Sequence, residues 1–550
     1  MKIRRIILAV LLAIALNVVL LRHSVRFDLS EDKRYTLSAS TKEYLQHNID
    51  CELQAQVMLS GNLNAGFSRL QTATIDMLRE LSRYANISLA DADDEELAAQ
   101  MQMLEKNGYN PTQIYETTGD GKQQQTIVYP YVLLSDGKHI VVANLLVNNP
   151  SQSGAENLNT SIEQLEYTLL RAIHLLVKSE RPKVAFLEGH GELPELNTAD
   201  LQQALAPYCD IYFGTITDDA RCLDEFRCVV VADPTERFSE HDKYIIDQYI
   251  MRGGRVLWVV NGVRLSTATL TDNGFTPVLP LDLNIQDMLF RYGFRINHNL
   301  VEDVQCLPIP VDMSADPTQH NYMPMPWVYS PLLNTSAENA ITRGIMQVNA
   351  TFSSTVSFVG SGDGQQRQVL LFTSSNSKTQ ATPAEVDLTD LSQNPELFTD
   401  NALPVAASIE GTFPSLFAHR MIPDSIENST QQMSEGSSRQ VVVACGTAIQ
   451  NELQNGKPLP LGFDRYSKMQ FGNRDFFLNT ILYLTDNDNL LQLRQKNITL
   501  RLLNKQRTQE HINGIRLLII GMPLLVLCLI GLTITIASKK KYSRYKTNIS

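Results

Sequence analysis

At 550 residues the chain is too long for one ordinary hydrophobic core and implies roughly two to four domains, which its 43% hydrophobic residues can fill. A formal charge of −12 and a pI near 5.4 argue against a nucleic-acid partner, because phosphate binding needs a basic face and no basic stripe crosses the interior. Seven scattered cysteines form no disulfide framework. Cys209, Cys222 and Cys228 are near enough in sequence to pair in an oxidising compartment, but buried small hydrophobes are the simpler reading.

Residues 1–24 read as a membrane anchor. Ile6 to Leu21 is apolar apart from Asn17 and follows Lys2, Arg4 and Arg5, a pattern shared by signal-peptide cores and short anchors. Val18-Val19-Leu20-Leu21-Arg22 lacks the small residues of a cleavage site, and no cysteine follows for lipid attachment, so the segment is expected to be retained.

Residues 25–178 have the pattern of an α/β domain. A polar juxtamembrane stretch, Arg26 to Ser38, is punctuated by Phe27, Leu29, Tyr35 and Leu37, and Ser38 or Ser40 caps a short helix through Leu45. Then come a strand (Glu52 to Leu59), a helix (Phe67 to Tyr84), a strand (Ile87 to Leu89), a helix (Asp94 to Lys106) and a strand pair, Thr126 to Leu134 and Ile140 to Val147, turning at Asp136-Gly137. A last helix starts at Thr160, where Thr160 and Glu163 match a capping box and Ile162, Leu165, Leu169, Ile173 and Leu176 share one face. This order is the thioredoxin order, and Pro130 sits near the place where that fold keeps a cis-proline. The loop from Ser60 to Gly66 has no C-x-x-C, so such a domain would be redox-silent.

Residues 179–486 form a second α/β domain, entered through the charged hinge Lys178 to Pro182. Val184 to Leu187 is an apolar strand that stops at Glu188-Gly189-His190-Gly191-Glu192, with Asn197-Thr198 as N-cap of the helix Ala199 to Leu205. Strands at Ile211 to Ile216, Cys228 to Ala232 and Arg255 to Val260 flank a helix from Ser239 to Met251 that ends at Gly253-Gly254. Fully apolar strands between helices imply a parallel sheet covered on both faces, here expected to be glutamine-amidotransferase-like. Further on, Asn284 to Tyr292 is helical and Ile296 to Val304 partly extended. Leu307 to Pro331, with its six prolines, is expected to be irregular. Short strands follow at Ala350 to Val359, Gln368 to Thr373, Pro404 to Ile409 and Gln440 to Ala444, with 374–396 and 423–439 as surface loops or lids. Phe476 to Leu484 is helical.

Residues 487–516 are a juxtamembrane segment in which Ile498, Leu500 and Leu502 alternate like a strand. Leu517 to Ala537 carries no formal charge over 21 residues, enough to cross the roughly 30 Å hydrocarbon layer, so 517–538 reads as a transmembrane helix that tolerates Gly521 and Pro523. Lys539, Lys540, Lys541, Arg544 and Lys546 make 539–550 a basic cytoplasmic tail. Both termini are then cytoplasmic and residues 22–516 lie outside, in the periplasm; Arg501, Lys505, Arg507 and Arg516 on the other flank do not reverse this, because large domains cross largely regardless of charge.

Glu188, His190 and Glu192 are the nearest approach to a site, because ligands in open α/β sheets gather at the carboxyl ends of strands. Alternating Glu, His and Glu could hold a metal or move a proton, yet no H-E-x-x-H, C-x-x-C or second histidine cluster supports a ligand set, so a structural turn is the preferred reading and no metal or cofactor is expected. No G-x-[SC]-x-G elbow, G-x-x-x-x-G-K-[ST] loop or G-x-G-x-x-G fingerprint follows any strand, which argues against nucleophilic catalysis and ATP hydrolysis. Gly472-Asn473-Arg474-Asp475 opens the last soluble helix; capping explains it, and Arg474 with Asp475 is a sharper candidate for contact with a partner.

The segment Arg26 to Thr41, the strand and corner Val184 to Glu192, and the tail from Phe471-Gly472-Asn473-Arg474-Asp475-Phe476-Phe477-Leu478-Asn479 to Leu503 resemble GldG, the gliding-motility-associated ABC transporter component of Bacteroidetes, in the ABC-transporter auxiliary domain family. The resemblance spans nearly the whole chain and implies a non-catalytic, membrane-anchored extracytoplasmic subunit that works with a separate permease and a separate cytoplasmic ATPase. The alternative is a tethered ligand-binding domain, in which the corner at Glu188 to Glu192 and lids near 310–330 would enclose a ligand of unknown identity.

Overall fold

The computed structural model describes residues 36–485, apart from 50, 62, 91–93, 107–108, 118–122, 148–152, 178–180, 313–320, 337–338, 389–394, 424–425 and 429–431, together with 512–546. The expected first anchor, the start of the polar stretch after it, and 486–511 with its expected strand at Ile498 to Leu502 lie outside the described residues. The chain divides into two units, 1–496 and 497–550.

In the first unit, α1 (Ala39–Asn48) starts at Ser38, whose side chain accepts the Thr41 N–H as expected of a cap. There follow β1 (Leu53–Val57), α2 (Ala65–Leu81), β2 (Ile87–Leu89), α3 (Asp94–Lys106), β3 (Thr112–Thr117), β4 (Gln123–Val128), β5 (Tyr131–Ser135), β6 (Ile140–Asn144), α4 (Gly154–Glu163) and α5 (Leu165–Val177). The sheet order is β2-β1-β5-β6, with β1 parallel to β2 and antiparallel to β5, and β3 pairs with β4 as a separate hairpin. Leu165, Leu169, Ile173 and Leu176 of α5 meet Leu70, Leu78 and Leu81 of α2 in one core, the face that the helical spacing predicts.

Two expectations fail here. The helix does not begin at Thr160: the capping box is Ser153 with Glu156, the same [ST]-x-x-E pattern about two helical turns upstream, and α4 and α5 are separated at Gln164. Pro130 is not cis; it divides the expected strand Thr126 to Leu134 into β4 and β5, and the cis peptide among the described residues is Thr382–Pro383.

The large sheet carries the rest of the unit. Its parallel half comprises β7 (Lys183–Glu188), β8 (Asp210–Thr215), β9 (Cys228–Ala232) and β10 (Arg255–Val259), with α6 (Ala199–Leu205) and α7 (Glu240–Met251) between them. After α8 (Gln286–Tyr292) the chain adds β11 (Cys306–Asp312), β12 (Tyr322–Thr335), β13 (Gln365–Phe372), β14 (Pro404–Pro414), β15 (Glu435–Val443) and α9 (Asn473–Thr485). The strand order is β11-β12-β13-β14-β15-β10-β9-β7-β8, parallel from β15 to β8 and antiparallel elsewhere. Period-two alternation divides its side chains between two cores. Val184, Phe186, Val230, Leu257 and Val443 point to α6 and α9, while Ala185, Leu187, Val231, Trp258 and Val442 point to α7 and α8. Both faces are covered, as the apolar runs require.

Over its described residues, 307–312 and 321–331, the proline-rich stretch Leu307 to Pro331 is not irregular. It forms the β11–β12 hairpin, in which Pro308 stands opposite Pro326 and Pro310 opposite Pro324. Alternate residues of an antiparallel pair aim their N–H away from the partner strand, and prolines at every second position on both strands fall in that set, so no ladder bond is lost. The described residues of the expected lids near 310–330 are therefore mostly strand. The loops expected at 374–396 and 423–439 likewise contain the strands Ser377–Ala381 and Ala384–Asp387 and the start of β15, whereas the strand expected at Ala350 to Val359 shrinks to Val356–Phe358. The seven cysteines are free, with Cys209, Cys228 and Cys445 buried.

In the second unit the helix α10 (Ile512–Lys546) contains Pro523 and exposes Ile519, Leu525 and Leu529. Among the described residues no helix is long and apolar enough to cross a membrane.

Candidate functional site

The carboxyl ends of β7, β9, β10 and β15 gather the residues that chemistry would use. After Leu187 the chain turns through Gly189 (φ 111°) and Gly191 (φ 70°), left-handed conformations that favour glycine. Gly191 is also needed for space, because a Cβ there would collide with Thr235 Oγ1. Between the glycines the His190 carbonyl accepts the Thr235 and Glu236 N–H groups at 2.9 and 2.8 Å, which ties the β7 corner to the segment after β9.

His190 is buried and its ring stacks on Phe238 with 3.7 Å between centroids. Nδ1 lies 3.0 Å from Glu192 Oε1 and Nε2 lies 3.2 Å from Asp242 Oδ2, while the His190 N–H donates to Glu192 Oε2 at 2.6 Å. Burial alone would depress the imidazole; hydrogen bonds to Asp242 and Glu192, and their charges, overcome it and raise the group to about 9. Burial likewise pushes Asp242 up, but hydrogen bonds from His190, Ser239 and His241 hold its carboxyl well below the usual range. The arrangement is an imidazolium clamped between two carboxylates, with every polar atom of the ring engaged.

Of the residues that the sequence singles out, the structure brings His190 and Glu192 together and leaves Glu188 exposed at the end of β7. Asp242, in the first turn of α7, is the partner that sequence reasoning missed; it lies 52 positions away. Arg474 belongs to a separate contact: its Nε is 3.3 Å from Asp200 Oδ2 on α6, and that oxygen also accepts the Leu461 N–H at 3.0 Å. Asp475 lies in the first turn of α9. Thr198 heads α6, but its hydroxyl donates to the Glu195 carbonyl at 3.2 Å instead of capping the helix.

A second cluster also escaped sequence reasoning. Asp233 follows β9 in a left-handed conformation (φ 52°) and accepts Asn261 Nδ2 at 2.6 Å; Asn261 Oδ1 in turn accepts the Gly446 N–H at 2.7 Å. Burial pushes the Asp233 carboxyl up to about 7. A Cβ at position 446 would collide with that carboxyl, so only glycine lets the segment after β15 pass so close to the one after β9. The signal was an Asp-Pro, an Asn-Gly and a Cys-Gly, each directly after an apolar strand. Burial pushes the neighbouring Cys445 thiol up to about 12, far from a nucleophilic thiolate. Among the described residues no group of three or more His, Cys, Asp or Glu could hold a metal.

Next to Asn261 a cavity of about 180 Å³ opens between β10 and α8, walled by Val260, Leu281, Leu283, Ile285 and Leu289, with Phe290, Arg295 and His298 also on its lining.

A family model described as an ABC-type uncharacterized transport system matches residues 181–480, the body built on the large sheet. A second, a domain of unknown function, matches residues 31–135. No curated protein matches the chain. Among solved structures, the mmIFT52 N-terminal domain aligns at 16% identity over 56% of this chain and 98% of its own, with a TM-score of 0.33. A putative ThuA-like protein from Parabacteroides merdae aligns at 9% identity over 56% of this chain and 91% of its own, with a TM-score of 0.29.

Proposed function

The chain belongs to the ABC-type uncharacterized transport system family, and from that premise we propose that it is a non-catalytic, membrane-anchored subunit that presents its α/β body outside the cytoplasm to a separate permease, with a separate ATPase inside. The observation that carries this reading is the match over 181–480, which coincides with the large sheet and its covering helices. Two features support it. His190 and Glu192 of the corner spend their polar groups on its own packing, as a rigid docking body does, and the sequence carries no phosphate-binding loop of its own. The apolar segments Ile6 to Leu21 and Leu517 to Ala537 would anchor it, with both termini cytoplasmic and the body periplasmic. The resemblance to GldG makes gliding motility the finer assignment, and the N-terminal sheet would then be a redox-silent, thioredoxin-like module.

Affinity purification of the tagged full-length chain from its native membranes in mild detergent tests this. Recovery of an ATPase and a polytopic permease is the expected outcome, and repeated recovery of neither would refute it. Orientation is checked at Met421, which is 90% exposed: a Met421→Cys variant should react with a membrane-impermeant maleimide added from outside, and protection until the membrane is broken would reverse the topology.

A second reading, ligand binding by the same body, is favoured by the cavity beside β10. Pockets at the carboxyl ends of sheet strands are where such folds take small molecules.

A further inference from the structure

We propose that the cavity between β10 and α8 binds a small carboxylic acid with a ring-sized or branched apolar group, the apolar part inside and the carboxylate at the rim on Arg295. The proposal rests on the ligand-binding reading and names its chemistry.

The walls argue for the apolar part. Val260, Leu281, Leu283, Ile285 and Leu289 are all buried, and they enclose about 180 Å³. An engineered hydrophobic cavity of about 150 Å³ stays dry and takes up benzene, so this one has room for a six-membered ring or a short branched chain and little else. A longer chain or a sugar would not fit, and a sugar would find too few polar partners among the leucines.

The rim argues for the charge. Phe290 is 57% exposed, Arg295 is exposed, and both line the cavity, so its polar side faces water. Three other cations of the body are committed: Lys243 to Glu240 and Asp287, Arg420 to Asp287, and Arg367 to the Val359 and Gly360 carbonyls; Arg264 and Arg291 are not on the lining, whereas Arg295 is. Among the described residues Arg295 meets no carboxylate, which leaves its guanidinium for a bidentate contact next to a low-dielectric wall, where such a contact is stronger than in open water. The remaining polar groups discriminate little. Both ends of the Asn261 amide are taken by Asp233 and Gly446, Gln286 donates to the Leu281 carbonyl, and His298 Nδ1 donates to the Gly262 carbonyl at 2.8 Å. Selectivity then comes from one fork of positive charge and one apolar volume.

Calorimetric titration of the full-length chain in lipid nanodiscs, with empty nanodiscs as reference, tests this. The probes are phenylacetate and 4-methylpentanoate, with phenylacetamide as the neutral match and N-acetylphenylalanine as the mimic of a peptide carboxyl end. Phenylacetate is expected to bind roughly tenfold more tightly than phenylacetamide, and Arg295→Gln, a change at an exposed position, should erase that preference while leaving the amide unaffected. Binding of N-acetylphenylalanine alongside phenylacetate would support the same chemistry with a chain end as its source. Equal binding of phenylacetate and phenylacetamide would overturn the carboxylate assignment but leave a ligand site, whereas no heat from any probe at millimolar concentration would overturn both. Recovery of a permease bears on neither outcome.

Discussion

Replacing His190 by glutamine should remove a pH-dependent brace from the β7 corner. The imidazole rises from an ordinary 6.5 to about 9 on folding, which at about 1.4 kcal/mol per pH unit corresponds to about 3 kcal/mol. The sign follows from the direction. A group that binds its proton more tightly in the folded state contributes fully below 6.5, and that contribution fades as the pH climbs through about 9. Glutamine has a similar reach but no charge, so the variant should open more readily at low pH and match the parent once His190 has itself lost its proton. A local readout is available, because the Thr235 and Glu236 amides donate to the His190 carbonyl. Hydrogen exchange of the peptide that contains them reports the free energy of opening this corner without requiring the whole chain to unfold in one step. Exchange in His190→Gln should exceed the parent by roughly a hundredfold near pH 6, and the gap should close toward pH 9.5; comparing the two proteins at each pH cancels the intrinsic pH dependence. A gap that stays constant across that range would refute the clamp, since it would mean that only packing, not charge, was lost.

Asp233 runs the other way. Its folded carboxyl sits at about 7 against an ordinary 3.8, so the unfolded chain ionises first and a penalty grows between those values and persists above them. Asp233→Asn should therefore raise the thermal midpoint at pH 8 by the equivalent of about 2 kcal/mol, discounted for the water the carboxyl still meets, with no gain at pH 4; a loss at pH 8 would show that the charge is wanted. Gly191→Ala should cost at least about 2 kcal/mol, because it combines a left-handed φ of 70° with a collision at Thr235 Oγ1. Adding Thr235→Ala should recover the steric part only, as a double-mutant cycle on the unfolding midpoint would show. Trp258→Phe should destabilise by about 3 kcal/mol, through lost volume and through Gln440 Oε1, which accepts Trp258 Nε1 at 3.0 Å in a fully buried site. If urea unfolding shifts by less than a third of that, the bond contributes nothing.

How much of this was legible depended on whether the information was local. Cys228 to Ala232 and Arg255 to Val259 were readable as buried strands because a sheet covered on both faces admits no polar residue along a strand interior. Ser239 was readable as the start of α7 because a serine before a helical run satisfies an N–H that nothing else can, and it does so for Asp242. The β11–β12 hairpin was not readable: the rule that prolines break ladders concerns which N–H groups face the partner, and that is known only when Pro308 is seen opposite Pro326. Thr160 and Ser153 offered the same capping pattern, and one sequence does not say which the helix uses. The site fell between these cases. The Gly189 and Gly191 corner announced itself by composition, but what His190 does is decided by Asp242, and what Asp233 does by Asn261 and Gly446, so the chemistry at the strand ends is assembled from four separate segments. Parallel sheets bring this about by construction, since each strand end is a whole helix away from the next in sequence and one strand width away in space. A motif search along the chain is therefore blind to such a cluster, and its failure to find a catalytic signature says less about activity than the state of the residues themselves. Here the imidazole is held charged by two carboxylates and the Cys445 thiol is raised to about 12, which leaves neither group free to act as a base or a nucleophile near neutral pH.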